Sequence, residues 1–197
     1  MLNNIKKFLR YISIYGFFKS FVKAIGRKRI HFPFWVFGFF NLSAKKKLSV
    51  GLIGCGQFCF STIAYYLTFS SHGKVEWCMD KNIDSAKSLA KSLGIKQYSD
   101  SNTFKEKKSD IIYISTYHST HADYAIKHLE NGSDVYVEKP LCTNWDQFNK
   151  IQNCFIKIKK VTNLKIIKYY VDFMLIFIII FYFLNSKLII IFNDFSR

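Results

Sequence analysis

The spacing of apolar and polar residues divides the chain into three stretches. Between residues 5 and 25, apolar side chains recur every three or four positions, which predicts two amphipathic helices joined by a bend at Gly16. From residue 48 to about 150, short apolar runs alternate with helical patterns, and beyond that the chain is mostly apolar. We therefore expect a helical extension over 1–47, a folded domain over 48–150 and a hydrophobic tail over 151–197.

The middle stretch predicts an α/β fold. Apolar runs that end at turn residues indicate strands at 48–53, 74–80, near 97–98, at 109–116 and at 134–137. Helical patterns lie between them, at 57–67, 84–94 and 119–132, and Thr143 to Asp146 resembles a capping box that opens another helix. Because strands and helices alternate, the sheet should be parallel and doubly wound.

Charge is distributed very unevenly. The net charge is +16, yet residues 48–150 carry 11 basic and 11 acidic side chains, so the excess lies in the two ends. Residues 1–47 hold 11 Lys and Arg and no Asp or Glu. The basic character therefore describes the appendages and says nothing about the ligand of the middle domain.

The extension cannot cross a membrane as a helix, because cations interrupt its apolar face at Lys6, Lys7, Arg10, Lys19 and Lys23. It also lacks the uninterrupted core of a signal peptide. Two interpretations remain: binding in the interface of an anionic membrane, or packing on the domain or on a second subunit of a homo-oligomer. The aromatic residues fall on a helical face, which favours burial or lipid over nucleic acid.

The five cysteines form no C-x-x-C pair, which favours a reducing cytoplasm over a disulfide framework. His118 and His121 stand three apart without a Cys or carboxylate cluster, so no metal site is predicted.

The first strand and helix are joined by a turn suited to a dinucleotide. Gly54 can adopt the tight turn, and Gly56 lets a pyrophosphate approach the backbone at the helix start, where Gln57 and Phe58 complete the expected cofactor-binding turn. Cys59 stands where the fingerprint has its third glycine. Asp80 ends the second strand at the usual place for a ribose-binding carboxylate, although a strand-end turn residue is the alternative.

Three segments make a family resemblance specific: "VGLIGCGQF", "DIIYISTYHSTHADYAIKHLENG" and "VYVEKPL". In this order, residues 48–150 resemble the Rossmann domain of the Gfo/Idh/MocA oxidoreductases. The resemblance implies NAD or NADP bound across the strand ends and a sugar or cyclitol CH–OH group as substrate. Asp80 disfavours a 2′-phosphate, so NAD is favoured, while the neighbouring Lys81 keeps NADP open.

The same resemblance assigns roles to the later loops. Lys139 would lie near the nicotinamide as the catalytic, proton-handling residue, with Glu138 and Pro140 shaping its loop. Pro140 is often cis in the family. Thr116, His118 and His121 would line the loop beneath the cofactor. Tyr117-His118 depart from the family's usual Pro-Asn, and Cys59 from its usual Gly or Ala.

The tail does not continue this pattern. The family follows its cofactor domain with a substrate domain, but only 57 residues follow Pro140. Ile, Phe, Lys, Asn and Tyr supply 32 of the last 47 residues, as expected of an AT-rich gene read out of frame, whereas a transmembrane helix over about 170–192 is the other interpretation. We expect a truncated cofactor half, inactive alone. The alternative is a membrane-associated dinucleotide-binding module that acts through a partner chain.

Overall fold

In the described part of the chain, a parallel six-stranded sheet forms the centre of the fold. The computed structural model describes residues 2–28, 30–34, 48–69, 73–103, 107–161 and 189–192. All neighbouring strands are parallel, in the order β3-β2-β1-β4-β5-β6. This is the strand order of a doubly wound Rossmann fold. The strands are β1 Leu48–Ile53, β2 Gly73–Asp80, β3 Gln97–Asp100, β4 Ile111–Ile114, β5 Asp134–Glu138 and β6 Ile189–Phe192.

Helices cover both faces of the sheet, as predicted from the alternating pattern. They are α1 Leu2–Tyr15, α2 Phe17–Arg27, α3 Tyr65–Phe69, α4 Ile83–Leu93, α5 His121–Glu130 and α6 Trp145–Val161. A π-helical segment, Cys59–Ala64, precedes α3, and a short 3₁₀ turn, His118–Thr120, precedes α5. Gly94 ends α4 in the left-handed conformation with φ 69°, which confirms the predicted glycine stop.

Each face of the sheet has its own apolar core. Alternate residues of β1 point to opposite faces, so Val50 and Leu52 join the first core while Ile53 joins the second. The π-helical segment, α4 and α2 pack on the first face, and α5 and α6 pack on the second. A Cβ on Gly51 would lie 2.2 Å from the Trp77 indole, so only a glycine lets Trp77 lie across β1.

The extension forms the two predicted helices, and the second packs on the domain. Gly16, with φ 80°, separates α1 from α2 at the predicted bend. Val22 of α2 and Phe34 are fully buried in the first core, where the Phe34 ring centroid lies 5.2 Å from that of Phe60. Lys19 Nζ donates a hydrogen bond to the Tyr66 hydroxyl at 2.8 Å. The interpretation that the extension packs on the domain therefore applies to α2 and to Phe34.

Two local features differ from the sequence expectation. The helix after the glycine turn has two α-helical residues and then continues as the π-helical segment, in which Ser61 Oγ donates back to the Gln57 carbonyl. The predicted capping pair is displaced by one residue. Asn144 Oδ1, not Thr143, accepts from an N–H of α6, because Asn144 stands directly before the first helical residue.

Most of the tail lies outside the described residues. The last four residues of the predicted transmembrane range form β6, a strand beside β5, and residues 170–188 are not among those described. Within the part of the chain that the structure describes, no helix combines the length and apolar composition needed to cross a bilayer.

Candidate functional site

The candidate site lies at the carboxyl edge of the sheet. The strand order reverses at β1, whose neighbours are β2 on one side and β4 on the other. The loops that leave β1 and β4 therefore diverge to opposite faces and leave a crevice, which is the usual ligand site of open α/β sheets. The structure brings the predicted residues Gly54, Asp80, Thr116 and Lys139 to this edge, each just after or at the end of its strand.

The two glycines of the turn after β1 have different surroundings, and only Gly54 is required by the turn itself. Gly54 has φ 88°, and a Cβ there would lie 2.4 Å from the Ser115 carbonyl oxygen. Its N–H donates to the Met79 carbonyl at 2.8 Å, which ties the turn to β2. A Cβ on Gly56 would meet no atom within 4 Å, so its backbone is open on that side. The following helix begins at Gln57 and Phe58. The first N–H groups of a helix have no preceding helical carbonyl to donate to, so those of Gln57 and Phe58 suit an anion.

Asp80 bridges β2 and the glycine turn. Its Oδ2 accepts from the Cys55 N–H at 2.6 Å, and its Oδ1 accepts from the Asn82 N–H at 2.8 Å. The side chain is half-buried beside the turn. A carboxylate has about four lone-pair sites, so it can still accept hydrogen bonds from ribose hydroxyls while these two contacts hold it in place.

Ser115 is a site residue that the sequence reasoning missed. Its N–H donates to the Ile53 carbonyl at 2.8 Å, and its Oγ donates to the Gly54 carbonyl at 3.0 Å. These two bonds fasten the end of β4 to the glycine turn. A serine at the end of an apolar strand indicates a buried hydroxyl that needs a hydrogen-bond partner. The identity of that partner depends on which strand lies beside it.

The loop after β5 carries the predicted catalytic residue. Glu138 is the last residue of β5, and the Lys139–Pro140 peptide bond is cis, as the family resemblance implied. Lys139 and Pro140 are exposed. The loop thus presents the Lys139 side chain at the same edge as the glycine turn and Asp80.

His121, predicted in the loop beneath the cofactor, lies beneath this edge. The ring is fully buried. Nδ1 lies 2.8 Å from the Pro140 carbonyl oxygen, and Nε2 lies 3.1 Å from the Thr116 carbonyl oxygen. Burial lowers the pKa of His121, and these carbonyl contacts oppose that effect only in part. His121 therefore joins the loops after β4 and β5, while its neighbour His118 is exposed.

The remaining contacts fix the two loops to each other. Thr116 Oγ1 lies 2.8 Å from Thr120 Oγ1 at the start of α5. Gln147 of α6 accepts from the Thr143 N–H at 2.9 Å and donates to the Ser119 carbonyl at 2.6 Å. Gln147 stands three residues after the Asn144 cap, where a capping-box partner is expected. The loop that contains Lys139 is thus anchored on both sides.

The comparisons with known proteins agree with this arrangement. Residues 48–165 match the family described as the oxidoreductase family with an NAD-binding Rossmann fold, Gfo/Idh/MocA. The chain is 29% identical over 127 residues to Oxidoreductase P35 of Formosa agariphila, covering 62% of this chain and 37% of that protein. It is 36% identical over 64 residues to a scyllo-inositol 2-dehydrogenase (NAD(+)) of Bacillus subtilis, covering 32% of this chain and 19% of that protein.

A solved structure supports the same fold. A variant of KijD10, a 3-ketoreductase from Actinomadura kijaniata in complex with TDP-benzene and NADP, matches with a TM-score of 0.52 at 20% identity. The match covers 66% of this chain and 40% of that one. The chain spans well under half the length of the curated relatives it matches. Through its NAD(P)-binding Rossmann domain, this chain belongs to the Gfo/Idh/MocA oxidoreductase family.

Proposed function

We propose that this chain is the cofactor-binding half of an NAD(P)-dependent oxidoreductase acting on a sugar or cyclitol CH–OH group. One observation carries the proposal: the open glycine turn, Asp80 and the Lys139 loop converge at the carboxyl edge around the strand-order reversal. The match to a scyllo-inositol dehydrogenase suggests the cyclitol class. The substrate contacts would come from outside residues 48–165.

The residues present fit a dinucleotide. Gly56 leaves room for a pyrophosphate against its backbone, which a side chain would fill. Asp80 would hold the adenosine ribose, and Gln57 and Phe58 would offer N–H groups to the phosphates. When bound, the cofactor supplies the hydride acceptor or donor. Lys139 would stabilise the substrate alkoxide and exchange its proton.

We further propose that the site prefers NAD to NADP. Asp80 is fixed at the turn by two backbone N–H groups, so its negative charge would stand beside a 2′-phosphate and repel it. The scyllo-inositol dehydrogenase is named with NAD(+), and the KijD10 structure contains NADP. Similarity to these proteins therefore implies no preference between the two cofactors. The exposed cation Lys81 follows Asp80 and would soften the discrimination.

The dinucleotide site can be tested at Gly56. A Cβ there meets no protein atom, so Gly56→Ala and Gly56→Val should fold normally while occupying the space of the pyrophosphate. We expect the Kd for NADH, measured by its fluorescence, to rise at least about tenfold with Ala and further with Val. Circular dichroism confirms the fold of each variant. An unchanged Kd in both variants would show that the dinucleotide does not lie on this turn.

A second candidate function is a membrane-associated dinucleotide-binding module that acts through a partner chain. The observation that favours it is the charge of the extension: residues 1–47 hold 11 Lys and Arg and no Asp or Glu. In that case hydride transfer would require the partner chain, and the Gly56 variants would weaken dinucleotide binding in the same way. Activity restored by a co-purified partner would distinguish this candidate from the first.

A further inference from the structure

The helical hairpin of α1 and α2 exposes large apolar side chains. One stripe of α2, with Val22 and Ile25, is buried against the domain. A second stripe of the same helix is not: Phe17 is 64% and Phe21 is 40% exposed, and their rings stack with centroids 6.4 Å apart. On α1, Ile5 and Leu9 lie one turn apart and are more than half exposed. Packing on the domain therefore accounts for only part of the hairpin's apolar surface.

The same hairpin carries a positive charge that no acidic residue of the extension neutralises. On α1, Lys6, Lys7 and Arg10 are exposed. On α2, the cations lie over tyrosine rings: Lys19 Nζ is 4.8 Å from the Tyr66 ring centroid, and Lys23 Nζ is 4.9 Å from that of Tyr11. A cation–π contact holds a cation in position without cancelling its charge. Lys19 and Lys23 are thus held in position with their charge retained, and Lys6, Lys7 and Arg10 of the same hairpin are exposed.

We propose that the α1–α2 hairpin docks this domain on an anionic membrane surface. Its cations would contact phospholipid headgroups, and Phe17, Phe21, Ile5 and Leu9 would enter the interfacial region, as in other peripheral amphipathic helices. This surface goes beyond the dinucleotide site and does not depend on it.

Charge and side-chain type decide between the occupants of this surface. A second copy of the chain would bring two hairpins of like charge together, since residues 1–47 hold no acid, and repulsion opposes that contact. Single-stranded nucleic acid would use aromatic rings for stacking but has no use for Ile5 and Leu9. An anionic lipid surface accommodates both the cations and the aliphatic side chains.

The test is sedimentation of the full chain with two kinds of vesicle: phosphatidylcholine alone, and equal parts phosphatidylcholine and phosphatidylglycerol. The quantity measured is the ratio of binding to anionic over neutral vesicles, so that any apolar contribution from residues 173–184, common to both, cancels. We expect a ratio well above one that falls as salt is added, because salt screens the attraction.

Two sets of variants localise the effect. Replacing Lys6, Lys7 and Arg10 by Gln should lower binding to anionic vesicles about 100-fold, at roughly fivefold per cation. The matched control replaces three exposed lysines of the domain by Gln, namely Lys87, Lys91 and Lys96, and should change binding less than about twofold. Phe17→Ser with Phe21→Ser should weaken binding to both vesicle types, since it removes apolar area and leaves the charge unchanged.

Three results would overturn the proposal. The first is a ratio of one at every salt concentration. The second is an equal loss of binding in the hairpin triple variant and in the domain triple variant. The third is a different occupant: self-association without lipid that Phe17→Ser with Phe21→Ser abolishes, or a single-stranded oligonucleotide bound more tightly than the anionic vesicles.

Discussion

At the scale of single residues, the candidate site combines side chains that hold its loops in place with side chains that are proposed to contact a ligand. Ser115 fastens the glycine turn to β4, and His121 joins the loops after β4 and β5 from a fully buried position. Asp80 combines both tasks, because it braces the turn and stands where the ribose is expected. Two predictions follow from these residues.

The first concerns cofactor choice at Asp80. We expect the wild-type chain to bind NADH at least about tenfold more tightly than NADPH, because a fixed carboxylate repels the 2′-phosphate. In Asp80→Ser this preference should fall toward one, since the charge is gone and ribose can still bond to a hydroxyl. Titration of both cofactors gives the two Kd values. Tighter binding of NADPH by the wild type would contradict the proposed role.

The second concerns pH and His121. Burial lowers its pKa in the folded state, so the unfolded chain takes up the proton first as pH falls. The stabilisation is therefore complete above the ordinary histidine value of about 6.5 and is lost as pH falls below it. We expect the free energy of unfolding to fall between about pH 7.5 and pH 5.5 in the wild type.

A pair of matched variants isolates that effect. His121→Gln should reduce this part of the pH dependence, while His118→Gln, at an exposed position on the preceding turn, should retain it. Urea unfolding at each pH gives the free energies, and the comparison between variants removes the contribution of the carboxylates. Identical pH dependence in the wild type and His121→Gln would exclude His121 as the source.

At the scale of elements, the extension is partly a component of the domain. α2 and Phe34 complete the first apolar core together with α4 and the π-helical segment. α1 instead contacts α2, where Lys23 and Arg27 lie over the Tyr11 ring. The two helices thus have different structural roles: α2 closes the first core, and α1 packs on α2.

This arrangement predicts a large difference between two phenylalanines. Phe34→Ala should lower the free energy of unfolding by about 3–5 kcal/mol, because it removes a fully buried ring and leaves a cavity beside Phe60. Phe17→Ala, at an exposed position of α2, should change it by less than about 0.5 kcal/mol. Chemical denaturation measures both values. Equal, small effects would mean that the extension does not pack on the domain in solution.

At the scale of the whole molecule, a neutral cofactor domain carries a basic extension, and the candidate site at the carboxyl edge faces solvent in the described part of the chain. Lys139 is exposed, as are Tyr117 in the loop after β4 and Trp145 at the start of α6. Water on the substrate side weakens the electrostatic stabilisation of a developing alkoxide. The match to the Formosa agariphila oxidoreductase covers 37% of that protein, so this edge corresponds to one part of a longer enzyme.

We therefore expect the chain of this sequence, purified alone, to bind dinucleotide but to transfer no hydride above background. A dehydrogenase must hold the donor carbon about 3–3.5 Å from the nicotinamide, and Lys139 alone cannot position a substrate. NAD(P)H formation with a panel of polyols, sugars and cyclitols provides the assay. Turnover that disappears in Lys139→Ala, with NADH binding retained, would instead show that this chain builds a full active site, for example as a homo-oligomer.

The sequence by itself determined the doubly wound sheet, the glycine turn and the ends of the first two strands at Ile53 and Asp80, whereas β6 was not predicted as a strand. These features are local: the period of apolar positions distinguishes strand from helix, and Gly54, Gly94 and Asp80 mark turns through their own backbone and side-chain preferences. The cis Lys139–Pro140 bond, by contrast, was implied by the family resemblance and not by a local preference of these residues. Parallel strands that alternate with helices then place those strand ends at one edge.

Only the tertiary structure decided the contacts between segments distant in the chain. Ser115 could not be assigned to the glycine turn until β4 lay beside β1, and His121 became a buried brace only because α5 brings it under the Pro140 carbonyl. Phe34 of the extension lies in the core and Phe17 is exposed to solvent. This difference likewise depends on which face of the sheet the extension packs against. Sequence periodicity shows that a face is apolar, but what covers that face is determined by packing between distant elements.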